Sequence, residues 1–265
     1  DVEVKRDIEF SVQIFRVRRE DLRSLRQKET DWGKILIEEV KTGCSQGKRC
    51  VIILDEFQKL RDVYIRNGNG ERELLKEFLN LCISLTKERH LSHVAILTSN
   101  TVFIEKIYND ARMKETSEFW KVGHLKKEEV ELWLRQEGFD AGEIELVWEY
   151  LGGSISRLIK VIEARDGGRD IKEFLEHEAW LAYTEIVELL RKIEDKELRE
   201  GFKSMCASIL EQGYYKIKLE EKRGINKAID FFSEKEILFY DPLELKVTGN
   251  SRVYEKGLEL VFGNQ

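Results

Sequence analysis

Proline is nearly absent from this chain: Pro242 is the single one in 265 residues. With so little to interrupt helices, and with abundant Lys, Glu and Arg, the chain is expected to be rich in helix, in a composition that also suits a thermophile. Apolar runs of the roughly 18 to 20 residues that a bilayer-spanning helix needs are missing, which argues against an integral membrane protein. No Cys-x-x-Cys pair occurs. Cys44, Cys50, Cys82 and Cys206 stand apart and read as reduced thiols, with a Cys44–Cys50 disulfide as the alternative. The four histidines, His90, His93, His124 and His177, are scattered, so a histidine-based metal site is not expected. A basic excess is also lacking: 45 Lys and Arg against 51 Asp and Glu give a formal charge of −6, with both signs interleaved. Nothing overall therefore demands nucleic acid or an anionic membrane, and with no signal sequence in view the expected location is the cytoplasm. The chain opens at Asp1 without a methionine and reads as a piece of a longer protein.

What is present is 42 % apolar residues, enough for two or three small cores. Residues 8–17, rich in β-branched and aromatic side chains, predict a strand, followed by a charged cluster, Arg16 to Arg19, that reads as a loop. Apolar residues at 32, 35, 36, 37 and 40 predict a helix ending near Gly43. Residues 50–54, CVIIL, are apolar on both faces, as in a covered parallel sheet. A polar loop at 66–71 then leads into a long amphipathic helix over 72–89. Residues 93–100, HVAILTSN, predict a second buried strand, and 118–125, EFWKVGHL, a third. Strands alternating with helices define an α/β unit with a parallel sheet, whose ligands bind beyond the carboxyl ends of the strands, where Asp55, Glu56 and Asn100 lie.

From Lys126 the pattern turns to helices alone, with Asp140 and Ser154 as N-caps and Gly152-Gly153 between two of them. The last part reads helix, strand, turn at Asp241-Pro242, strand, helix, an order that suggests a winged helix-turn-helix. The expected domains are an α/β core over 1–125, a helical subdomain over 126–178 and a winged helix over 179–265.

A buried strand running straight into two adjacent carboxylates, VIIL then Asp55-Glu56, suits metal-assisted phosphoryl chemistry. Successive strand residues point to opposite sides, so one carboxylate can face a metal ion while the next faces the attacking water. Asn100, after the second strand, ends at the same sheet edge, where its amide could bond a phosphate or that water.

At these residues the chain resembles the archaeal AAA+/STAND-type P-loop ATPases, in which an α/β nucleotide domain precedes a helical lid and a winged helix. The resemblance rests on VIILDEFQKL, VAILTSN, YNDARM, EYLGGSISRLIKVI and FFSEKEILFYDPLELKVTGNSRV, and spans roughly residues 45–260. It implies ATP and Mg2+ as cofactors, with Asp55 holding the metal, Glu56 as catalytic base, Gln58 supporting the site, Asn100 as sensor, Arg112 as arginine finger and Arg157 as a lid arginine on the phosphate. One departure stands out: relatives often have proline two residues after the glycine pair, and here that position is Ile155.

The phosphate loop of such enzymes, Gly-x4-Gly-Lys-Ser/Thr between a strand and a helix, is missing. The nearest stretch, GCSQGKRC, has three residues between its glycines, Arg49 in place of Ser/Thr, and a predicted strand where a helix is required. The expectation is therefore a P-loop NTPase core incomplete at its N-terminus, an ATPase module inactive by itself, with the loop upstream of Asp1. Protein partners or a homo-oligomer are compatible with it. The alternatives are a DNA-binding winged-helix regulator and a non-catalytic scaffold. Against DNA, residues 201–265 hold ten Lys and Arg and ten Asp and Glu, so no basic excess supplies phosphate affinity.

Overall fold

The computed structural model describes residues 32–47, 50–60, 64–67, 70–102 and 117–263. The strand expected over 8–17, the arginine cluster that follows it and Arg112 lie outside the described residues. The chain divides into two compact units, Asp1–Ser99 with Phe103–Glu118, and Asn100–Val102 with Phe119–Gln265.

In the first unit α1 (Trp32–Ser45) leads to β1 (Cys50–Leu54), a short 3-10 turn (Phe57–Leu60), a hairpin of β2 (Tyr64–Asn67) and β3 (Gly70–Glu73), α2 (Leu74–Ile83) with a wide turn at Ser84–Glu88, and β4 (Ser92–Ile96). β1 and β4 pair in parallel, in register from Cys50↔Ser92 to Leu54↔Ile96. Leu36 and Val40 of α1 and Leu75, Phe78 and Leu79 of α2 close over Ile52 and Leu54, so both helices cover the same sheet face. The other face carries Val51, 57 % exposed, and Ile53, 54 % exposed. The expectation of a strand buried on both sides is thus corrected: among the described residues the strand alternates, with one face in the core.

The stretch expected as a polar loop before α2 is the β2–β3 hairpin, paired from Tyr64↔Glu73 to Asn67↔Gly70. Its Asn-Gly steps are turn formers between two short extended runs. All four cysteines are free thiols. Cys44 donates to the Leu91 carbonyl at 3.0 Å, and burial pushes the Cys82 thiol up to about 12.

The second unit is built from α3 (Lys127–Gln136), α4 (Ala141–Leu151), α5 (Ile155–Asp166), α6 (Ile171–Lys192), α7 (Lys196–Gln212), β5 (Tyr215–Lys216), α8 (Arg223–Glu234), β6 (Leu238–Asp241), β7 (Lys246–Gly249) and α9 (Arg252–Phe262). Asp140 caps α4 by accepting from the Glu143 N–H at 2.8 Å, and Glu143 returns a bond to the Asp140 N–H at 2.8 Å. The three strands lie in the order β5-β7-β6, all antiparallel. The division expected at residue 178 falls inside α6, which runs unbroken through it.

α7 and α8 cross with their backbones almost touching. A Cβ on Gly201 would sit 2.2 Å from the Gly224 carbonyl oxygen, and one on Gly224 would sit 2.2 Å from that of Glu197. The crossing lets the Phe202 and Phe232 rings stack with centroids 3.6 Å apart, both fully buried. Lys227 of α8 reaches Asp195 at 2.6 Å and Glu197 at 2.9 Å, tying the start of α7 to the same crossing.

No strand forms over 118–125, contrary to the sequence reading. The segment belongs mainly to the second unit, where polar anchors decide its course. Leu125 donates to the Gly153 carbonyl at 3.0 Å, Lys121 reaches Asp241 at 2.5 Å, and His124 Nε2 lies 3.1 Å from the Asn250 carbonyl. Trp120 and Val122, whose apolar character suggested a strand, are 79 % and 95 % exposed. Burial alone would raise the Asp241 carboxyl, but the Lys121 ammonium and the N–H groups of Glu244 and Leu243 outweigh it and hold that carboxyl below its usual value.

Candidate functional site

The carboxyl ends of β1 and β4 finish side by side. Leu97 donates to the Leu54 carbonyl at 2.7 Å, extending the ladder one step, and the Phe57 N–H returns to the Leu97 carbonyl at 3.4 Å. Between these bonds the chain turns at Asp55-Glu56. Glu56 has φ 53°, the left-handed region that a side chain with a Cβ rarely adopts, at a cost of about 1 kcal/mol or more. The turn is closed by the Glu56 N–H donating to Asp55 Oδ1 at 2.9 Å. Just beyond it Phe57 is buried and meets Phe78 edge-on at 5.8 Å, so the core fixes the chain where the strained residue leaves the sheet.

Asp55 is exposed, whereas Glu56 and Gln58 are half-buried. The Gln58 amide donates from Nε2 to Glu56 Oε2 at 3.2 Å and accepts from the Thr98 hydroxyl at 2.5 Å. The end of one strand is thereby linked to the carboxylate beyond the other by a polar chain, Thr98 to Gln58 to Glu56. A carboxylate held this way has one oxygen defined by an amide donor, as a positioned proton acceptor does.

Three of the expected site residues, Asp55, Glu56 and Gln58, are therefore brought together. Asn100 is half-buried and groups with the second unit, as does Arg157, so neither shares a unit with the carboxylate pair. Arg157 donates from Nη1 to the buried Glu178 of α6. Thr98 escaped the sequence reading, although a signal for it exists. Continuing the register that pairs Leu54 with Ile96 sets Thr98 level with Glu56 and leaves Asn100 two residues past it.

No group of three or more His, Cys, Asp or Glu side chains that could hold a metal ion occurs among the described residues. Asp55 offers a single strand-end carboxylate, one oxygen of which accepts the Glu56 N–H. No helix among the described residues is long and apolar enough to cross a membrane.

A family model described as an ATPase domain predominantly from Archaea matches residues 11–161. Two uncharacterized ATP-binding proteins of Methanocaldococcus jannaschii are similar to the chain. One is 34 % identical over 209 residues, covering 77 % of this chain and 59 % of the relative. The other is 32 % identical over 207 residues, covering 77 % and 56 %. An uncharacterized ATP-binding protein of Pyrococcus abyssi is 33 % identical over 209 residues, covering 79 % and 57 %. The chain thus spans a little over half the length of these relatives. Among solved structures, a Walker-type ATPase of Pyrococcus abyssi superposes with a TM-score of 0.53 at 18 % identity, covering 87 % of this chain and 69 % of that one. At that identity the likeness is one of fold, and with the parallel β1–β4 pair under its helices it makes the fold P-loop-NTPase-like α/β.

Proposed function

The chain belongs to the family of ATPase domains found predominantly in Archaea, and from that membership we propose that it carries the metal and water half of an ATP-hydrolysing site. The observation that supports this best is the chain Thr98 to Gln58 to Glu56 at the carboxyl ends of two parallel strands. In this reading Glu56 accepts the proton of the attacking water, and Gln58, itself set by Thr98, holds the carboxylate in line for it. The names of the relatives, ATP-binding proteins, support the same nucleotide.

Magnesium fits the donor set. This ion commonly takes one or two carboxylates and fills its octahedron with waters and substrate phosphates, so a lone exposed Asp55 is sufficient from the protein side. When bound it would neutralise charge developing on the phosphates. Asn100 serves as sensor, Arg112 as arginine finger, and Arg157, once released from Glu178, as lid arginine. A phosphate loop of the form Gly-x4-Gly-Lys-Ser/Thr is not among these 265 residues, and the half-site proposed here does not include one.

Helices α3–α6 would form the lid. The order α7, β5, α8, β6, β7 supports a winged helix at the end. With ten residues of each charge sign over 201–265, that module suits contact with protein, in this chain or another, better than contact with a duplex. Hydrolysis would move lid and wing together.

ATP turnover by the full-length protein, measured across Mg2+ concentrations and in excess EDTA, tests the reading. Turnover should vanish in EDTA, and Asp55→Asn should raise the Mg2+ concentration for half-maximal rate about tenfold or more. Undiminished turnover in EDTA would end the proposal. Gln58→Leu, which cuts the link from Thr98 to Glu56, should lower kcat about tenfold while leaving the KM for ATP within about twofold. An equal rise in KM would instead make Gln58 a nucleotide contact.

A further inference from the structure

At the opposite end of β1 from Asp55, where β1 and β4 begin, the first unit holds a cavity of about 310 Å3 bordered by Cys44, Cys50, Thr86, His90, Leu91 and His93, among others. Two half-buried thiols therefore border one space, one from the last turn of α1 and the other from the first residue of β1. Neither takes part in the carboxylate site, and only five residues separate them in the chain.

The contacts of Cys50 bring its sulfur to the turn of helix that carries Cys44. The Cys50 thiol donates to the Val40 carbonyl at 3.6 Å. In an α-helix that carbonyl is the acceptor of the N–H four residues on, which is that of Cys44 itself. The Cys50 sulfur thus lies against the hydrogen bond that holds Cys44 in α1. Gly43 makes room for it: a Cβ there would sit 2.8 Å from the Cys50 sulfur, closer than real contacts allow. The Cys44 thiol donates to the Leu91 carbonyl at 3.0 Å, so its sulfur can exchange that partner for the sulfur of Cys50 at the loss of one weak bond.

His90 and His93 add imidazoles to the wall, and a neutral imidazole accepts the proton that a thiol must lose before it attacks. The other two cysteines contrast with this pair. Cys82 and Cys206 are 6 % and 0 % exposed, and burial pushes both thiols up, so they stay protonated and out of reach. We propose that Cys44 and Cys50 form a dithiol site that reacts with a low-molecular-weight disulfide and closes into an intramolecular disulfide, joining the end of α1 to the start of β1. In the first step one cysteine thiolate attacks a sulfur of the small disulfide R–S–S–R. A protein–S–S–R bond forms, the S–S bond of the reagent breaks, and RS− leaves. The second cysteine thiolate then attacks the protein sulfur of that mixed disulfide, and a second RS− leaves. The two cysteines lose two electrons and two protons in all. The small disulfide gains both electrons and ends as two thiols once those protons reach the departing thiolates. ATP hydrolysis enters none of these steps, so the site stands apart from the ATPase reading.

Exposure of the folded 265-residue chain to about 5 mM oxidised glutathione near pH 8, followed by trapping with iodoacetamide and peptide mass spectrometry, tests the site. A Cys44–Cys50 disulfide should form at least about tenfold faster than either Cys82 or Cys206 reacts, and dithiothreitol should reopen it. In Cys44→Ser and in Cys50→Ser, exchange should stop at a glutathione adduct on the cysteine that remains, because the second attack has lost its nucleophile. The proposal is overturned if both thiols of the unmodified chain stay open to alkylation throughout. It is equally overturned if that chain accumulates a separate glutathione adduct on each of the two cysteines, since they would then be too far apart to close. Reaction of all four cysteines at one rate would also overturn it, because exchange would then proceed through the unfolded chain.

Discussion

Glu56→Gln is expected to lower kcat for ATP hydrolysis by the full-length protein by roughly 10²- to 10⁴-fold, the range that a positioned general base contributes. The substitution keeps the size and shape of the side chain while removing its charge and its basicity. Glutamine has the shape of glutamate, tolerates the left-handed φ of 53° no worse, and still presents a carbonyl oxygen to the Gln58 amide 3.2 Å away. Folding and nucleotide affinity should therefore stay close to those of the unmodified protein, with Kd for ATP within about threefold, because the lost function appears only in the transition state. Single-turnover kinetics beside equilibrium binding would separate the two. Full turnover in this variant would remove Glu56 from the role of base, whatever the rest of the site does.

The second large effect lies far from that chemistry. Gly201→Ala should destabilise the protein by roughly 3 kcal/mol, at the upper end of what overpacking does, lowering the melting temperature of the second unit by about 10 °C. Helix propensity alone predicts the opposite, since alanine in a helix interior is favoured over glycine by about 1 kcal/mol. Geometry decides the sign. The added methyl would stand 2.2 Å from a backbone oxygen of Gly224, and a backbone cannot rotate aside as a side chain can. α7 and α8 would have to separate, opening the stacked Phe202 and Phe232 pair and the Lys227 bridges. Gly123→Ala, where a Cβ would meet nothing within 4 Å, is the control and should change stability by no more than about 0.5 kcal/mol. Calorimetric or circular-dichroism melts of both variants suffice, and equal melting temperatures would show that the crossing relaxes.

Several of these features were legible in the amino-acid order and others were not, for reasons that differ. CVIIL and HVAIL announce strands because β-branched residues in short apolar runs fit little else, and the structure pairs them in parallel. Asp140 announces a helix start because its carboxylate and Glu143 complete a reciprocal cap within three residues. Such signals are local. The bond from Gln58 to Thr98 joins residues 40 positions apart, and Arg157 meets Glu178 across 21. Composition and periodicity are silent about both. At 118–125 the local signal misled: four apolar side chains suggested a strand, but the segment is held by backbone and charge contacts with Gly153, Asn250 and Asp241, none of them near in sequence. Ser154 occupies the N-cap position that its place before an apolar run predicts, yet its hydroxyl does not cap, lying instead 3.4 Å from that of Ser156.

The parallel pairing of β1 with β4 also sets a timetable for folding. Cys50 and Ser92 must find each other across about forty intervening residues, whereas Asp241 and Lys246 close a short turn. The difference in closure entropy is about 2 kcal/mol. The hairpin and crossed helices of the second unit can therefore assemble from near neighbours in sequence. The strand pair carrying Asp55 and Glu56 waits for α2 to form and bring β4 back beside β1. During refolding, the carboxylate pair acquires its shape after the local hairpin of the second unit has closed.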